Sequence, residues 1–198
     1  MRLHKFELMC VLLILSVCVH PNVFAQAENV SSAPVVPQQY AGTAVGQAGV
    51  AAGKTFGLTV FITRWTTDQE LQPYITTLRE SGPNALVKAL NKTKDVGRLS
   101  PTGFVGSGFR IARFRPTPGG GLHIVMLTDR PISFGEAYNS TRSKDYPFGI
   151  VVLNVDKDGN GTGTLAPICK IKFNKKGELE IEHFGQKPLR LTNVRREK

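Results

Sequence analysis

The chain has 198 residues, with 25 Lys and Arg against 15 Asp and Glu and a formal charge of +10. Hydrophobic residues make up 41%, which excludes a chain too polar to collapse, and the length suits one domain with a real core. The charge favours attraction to anions such as lipid headgroups, wall polymers or acidic glycans, an attraction that is unspecific and weakens with salt.

The N-terminus reads as an address. Arg2, His4 and Lys5 form a basic start, Leu8 to Val19 an apolar run, and His20-Pro21-Asn22 a polar break. Val23-Phe24-Ala25 or Ala25-Gln26-Ala27 then offers small residues at the cleavage-setting positions. Residues 1–25 are therefore expected to be a secretory signal peptide. The run is shorter than the roughly 20 apolar residues a bilayer span takes, so no transmembrane span is expected after leader removal. Loss of Arg2, Lys5 and Glu7 lowers the formal charge of +10 by one, to +9. Cys10 and Cys18 leave as well, so Cys169 stands without a disulfide framework. A lipoprotein signal at Leu15–Cys18 is set aside because Val17 occupies the position that wants a small residue. The expected location is exported, periplasmic or extracellular.

Residues 26–53 are Ala, Gly, Val, Pro, Gln and Ser with little else, and they show no period. They are expected to be a flexible tether, leaving 54–198 as a single domain. Phe56 to Thr63 is β-branched and aromatic and reads as the first strand. Thr67 with Glu70 forms a capping box, after which Leu71, Tyr74, Ile75 and Leu78 share a helical face. Pro73 should kink or delay that helix, and Gly82-Pro83 should start a second one lined by Leu86, Val87 and Leu90.

Strands are expected at 108–115, 122–128, 148–155, 162–173, 178–184 and 189–195, separated by Gly, Pro, Asn and Asp turns. Leu122–Leu127 and Ile150–Val155 are apolar almost without alternation, which suits central strands covered on both faces. One register follows from keeping apolar residues on one face. Phe173 pairs with Leu179, Ile171 with Ile181 and Cys169 with His183; Lys172 then opposes Glu180, and Lys170 opposes Glu182. The expected fold is α+β, a mostly antiparallel, strongly curved sheet or small barrel of about seven strands with a helix pair after the first strand. The same element order occurs in fatty-acid-binding barrels, where the helices lid the opening, an analogy of fold alone. A barrel of this kind should enclose a pocket.

Candidate chemistry is sparse. Cys169 beside His183 has the makings of an activated thiolate, but no third orienting group is evident. Asp156-Lys157-Asp158-Gly159-Asn160-Gly161 imitates the start of a calcium loop, yet Pro167 stands where an EF-hand has glutamate, and a hairpin turn explains the same residues. Phe109–Arg115 interleaves aromatics with arginines as a nucleic-acid platform does, but a half-solvated strand gives the same pattern, so no specific nucleic-acid partner is expected. His123, inside an apolar run, reads as a core histidine; no metal and no cofactor is expected.

The long connection from Thr128 to Phe148 joins the two most apolar strands, and loops of that length in a compact domain are commonly functional. Asp129, Arg130, Glu136, Tyr138 and Arg142 are its candidate ligand-binding residues. The arginines suit an anion, and Glu136 suits acid or base work.

The segment Ile124 to Ala137, with Asp145-Tyr146-Pro147-Phe148 after it, resembles an uncharacterised family of bacterial exported proteins, over roughly residues 55–196. The resemblance implies a bacterial source, which makes Asn29, Asn91 and Asn139 poor glycosylation acceptors, and it implies no activity. The resulting expectation is a non-enzymatic exported domain that binds an anionic surface polymer or a small ligand. The alternative is a hydrolase using Glu136 with Asp129 or Asp145.

Overall fold

The computed structural model describes residues 33–132, 145–184 and 187–197. The expected signal peptide lies outside them. Among the described residues, ten strands, one α-helix and a short 3-10 turn at Gly49–Ala51 follow in order: β1 Gln38–Val45, β2 Thr55–Ile62, α1 Asp68–Leu90, β3 Gly97–Pro101, β4 Ser107–Phe109, β5 Ile111–Pro116, β6 Leu122–Leu127, β7 Phe148–Val155, β8 Asn160–Phe173, β9 Leu179–His183 and β10 Leu189–Glu197. The strand order is β4-β3-β2-β1-β10-β8-β7-β6-β5, with β9 on the far half of β8. The two ends of that path, β4 and β5, are joined by Arg110 alone. The sheet therefore curls back on itself into a nearly closed antiparallel barrel, which leaves few open edges.

The strand count is ten rather than about seven, for three reasons. Gln38–Val45, inside the expected tether, is a strand paired to both β2 and β10, so the ordered domain begins well before residue 54. Gly97–Pro101 is a further strand. The expected strand at 108–115 is two, because the chain changes partners at Arg110, from β3 to β6.

The helix is also one element rather than a pair. Thr67 caps it, its side chain accepting from the Glu70 N–H while the Glu70 carboxylate accepts from the Thr67 N–H. It runs from Asp68 without delay, and Pro73 keeps helical dihedrals. A break without a loop falls at Gly82, whose φ of 79° suits glycine, and Pro83 resumes the helix at once.

Two cores lie on opposite faces of the barrel wall. Inside, Tyr40, Leu99, Phe109, Met126, Leu153 and Leu165 are fully buried and fill the space between facing walls. Outside, Leu71, Ile75, Leu78, Leu86 and Leu90 of α1 pack on Leu127, Ile150, Ala166, Cys169 and Ile171. Val151 and Leu153 of β7 face inward, while Ile150 and Val152 face the helix. This double cover explains why β6 and β7 are apolar without alternation. The helix thus lies against the outer wall of the sheet, and the interior is occupied by the protein's own side chains.

The β8–β9 register is the one derived from the sequence, from Cys169 opposite His183 to Phe173 opposite Leu179.

Candidate functional site

Both stems of the 128–148 connection are fixed. The Thr128 N–H donates to the Gly149 carbonyl at 2.9 Å, and the Thr128 hydroxyl accepts from the Gly149 N–H at 2.7 Å. Ile132 is fully buried and donates its N–H to the Pro167 carbonyl. On the returning stem, the Tyr146 hydroxyl donates to Glu182 at 2.5 Å, and its ring lies 5.1 Å from that of Phe184.

Asp129 is buried at the foot of this connection, with its Oδ2 3.1 Å from the Arg110 Nε. The Nε hydrogen is not aimed at that oxygen, so the contact is one of charge rather than a directed hydrogen bond. Arg110 Nη1 also pairs with Asp95 at 2.8 Å and donates to the Thr93 carbonyl at 2.7 Å. One guanidinium thus ties together the β4–β5 corner, the segment leaving α1 and the loop stem. Arg130, next in sequence, is exposed. Asp129 and Arg130 therefore point to different surroundings, the first to a structural cation and the second to solvent. Glu136, Tyr138 and Arg142 lie outside the described residues.

The other motifs resolve as structure. Cys169 is fully buried, and burial pushes its thiol well above the ordinary range, opposite to what an activated nucleophile needs. The side chain of its cross-strand neighbour His183 is exposed. Asp156 accepts from the N–H groups of Asp158 and Asn160 at 2.9 Å, which makes it the pivot of a hairpin turn. Of the interleaved arginines, Arg113 donates to the Thr66 carbonyl at 2.6 Å and pairs with Asp68, holding the start of α1. His123 is buried with Nδ1 2.5 Å from the Asn154 amide oxygen; its Nε2 is buried without a partner among the described residues.

A feature that sequence reading missed lies on the outer face of β3, β2, β1, β10 and the start of β8, away from the part of β8 that α1 covers. The alternating burial of β1 and β3 turns Gln39, Thr43, Arg98 and Ser100 outward. Pairing places Arg98 beside Phe61, Phe61 beside Gln39 and Gln39 beside Glu197. The next row runs Ser100, Thr59, Ala41, Arg195 and Asn160. Farther along, Arg190 stands between Val45 and Thr164. Strands about 4.8 Å apart put Arg98 and Arg195 some 15 Å from each other across the face.

Arg98, Arg190, Arg195 and the nearby Arg196 are exposed. Arg195 pairs with Glu197 at 3.2 Å; among the described residues, Arg98, Arg190 and Arg196 have no carboxylate at ion-pair distance. The face is short, hydroxyl-rich and cationic. Its signal in the sequence was the run of arginines at 190, 195 and 196, which acquires a meaning only when β1 is set beside β10. No family model, no curated protein and no solved structure matches this chain.

Proposed function

We propose that this chain is a non-enzymatic exported domain that holds an anionic surface partner against the outer face of β3, β2, β1 and β10. The reading rests on one observation: Arg98, Arg190 and Arg195 share a solvent-facing sheet surface with Gln39, Thr43, Thr59 and Ser100, on which Phe61, Ala41 and Val45 are the apolar positions and Glu197 pairs with Arg195. Arginine is weakly hydrated and grips carboxylates, sulfates and phosphates through two N–H groups, while hydroxyls add shorter-range hydrogen bonds. The packed interior supports a partner on the surface over a small ligand inside the barrel.

The test separates this face from net charge. Retention on immobilised dextran sulfate is measured for R190Q/R195Q and for K175Q/K176Q, which removes the same charge from the exposed β8–β9 turn. The first variant should elute at clearly lower salt than the second. Equal elution would mean that diffuse charge alone causes retention and would sink the proposal.

A further inference from the structure

The turn between β3 and β4 ends in two apolar side chains facing water. Val105 is 77% exposed and Phe104 38%. The turn is built rather than slack: the Thr102 N–H donates to the Gly57 carbonyl at 2.8 Å and the Phe104 N–H to Pro101 at 3.2 Å. The Phe104 ring leans on that of Phe56, 6.1 Å between centroids. The tip is therefore held at the rim of the barrel.

Cations surround it. Lys54 ends the β1–β2 connection two positions before Phe56 and is exposed. Arg190 lies two strands from Thr55, with Val45 between them. Arg98 packs so closely against the start of β4 that a Cβ at Gly106 would lie 2.5 Å from its Nε. A small apolar point ringed by Lys and Arg matches the boundary of an anionic bilayer, with acyl chains for the point and headgroup phosphates for the ring.

We propose that the β3–β4 turn is a shallow membrane anchor, with Phe104 and Val105 entering the headgroup boundary of an anionic phospholipid surface and Lys54, Arg98 and Arg190 contacting its phosphates. This names the partner of the cationic face and so rests on the reading above. Binding needs both contributions: charge brings the protein to the surface, and the tip converts attraction into insertion.

The experiment is co-sedimentation of the exported protein with vesicles of phosphatidylcholine, with and without phosphatidylglycerol, alongside retention on dextran sulfate. Wild type should sediment with the anionic vesicles and remain free of the neutral ones. F104S/V105S should lose about tenfold or more in vesicle affinity, the scale expected for withdrawing two apolar side chains from a partly apolar phase. It should keep its dextran sulfate retention and stay folded, with a modestly lowered melting temperature from loss of the Phe104–Phe56 ring contact. In F104W, indole emission should shift to the blue on anionic vesicles.

Vesicle binding unchanged by F104S/V105S, or no blue shift in F104W, would overturn the anchor. Retention on dextran sulfate with no sedimentation on either vesicle would overturn the anchor while leaving the cationic face standing. Absence of both kinds of binding would overturn the two readings together.

Discussion

Arg110 and Asp129 meet with 3.1 Å between Nε and Oδ2, and the Asp129 side chain is only 4% exposed. A carboxylate in that position answers to a guanidinium before it answers to any ligand. Arg110→Ala should strip Asp129 of its counter-charge and cost about 3–5 kcal/mol, since a lone buried charge is strongly unfavourable. Asp129→Asn should cost less, about 1–3 kcal/mol, because Arg110 keeps Asp95 and the Thr93 carbonyl. Urea unfolding checks both. Wild-type stability in Asp129→Asn would remove Asp129 from the structural network and return it to the ligand-binding candidates.

Cys169 should be silent in the folded protein. Its thiol is raised by burial, so a chromogenic disulfide reagent at pH 8 should react only after urea is added. The sign of the pH dependence follows. The unfolded thiol ionises near pH 8.5 while the folded one stays protonated, so this group's contribution to stability is complete below that pH and declines above it. Rapid reaction without denaturant would show that the outer core opens readily.

Glu182 joins two elements. The Tyr146 hydroxyl, and after it Lys172 at 3.0 Å, hold its carboxyl below the usual range. A lowered folded value means that the contribution is present above the unfolded pKa and lost as pH falls through the folded one. Tyr146→Phe should raise the Glu182 titration midpoint, read from side-chain carboxyl carbon shifts. An unmoved midpoint would leave Lys172 and Lys170 as the causes.

Thr67→Ala should cost about 1 kcal/mol, the usual value of an N-cap. The same change leaves the Glu70 carboxylate accepting from the residue-67 N–H, the largest cause of its lowered pKa, so Glu70 should titrate nearly as before. A melting temperature unchanged by the substitution would show that packing alone fixes the start of α1.

The C-terminal half was legible in the sequence because its strands carry their own pattern. β8 and β9 alternate, and their charges match across the pair, so one register satisfies both faces. β1 was not legible. Its inward positions are Gln38, Tyr40, Gly42 and Ala44, and only Tyr40 is bulky; the volume comes from neighbours. A Cβ on Gly42 would lie 3.2 Å from a Val194 methyl. Buried Gln38 accepts from the Tyr40 hydroxyl at 2.6 Å, and no hydropathy pattern reveals such a pair. β3 was hidden for a related reason. Gly97 looks like a breaker, yet it is needed where β3 meets β2, because a Cβ there would strike the Phe61 carbonyl oxygen. Gly97→Ala should therefore destabilise through backbone displacement. The cationic face shared the fate of β1: its residues are scattered in sequence and meet only through strand pairing.

The pairing of β1 with β10 sets the order of assembly. The Thr192 hydroxyl lies 3.4 Å from the Thr43 carbonyl across 149 positions of chain. A ribosome delivering the N-terminus first must release the chain through β10 before the wall can close. Until then β1 and β8 each present a long unpaired edge, the form of surface on which chains associate with one another. Closure therefore waits for β10, which bridges β1 and β8. A chain clipped after Pro188 would keep most of its core residues and still lack the stave that joins its two halves, with aggregation as its default fate.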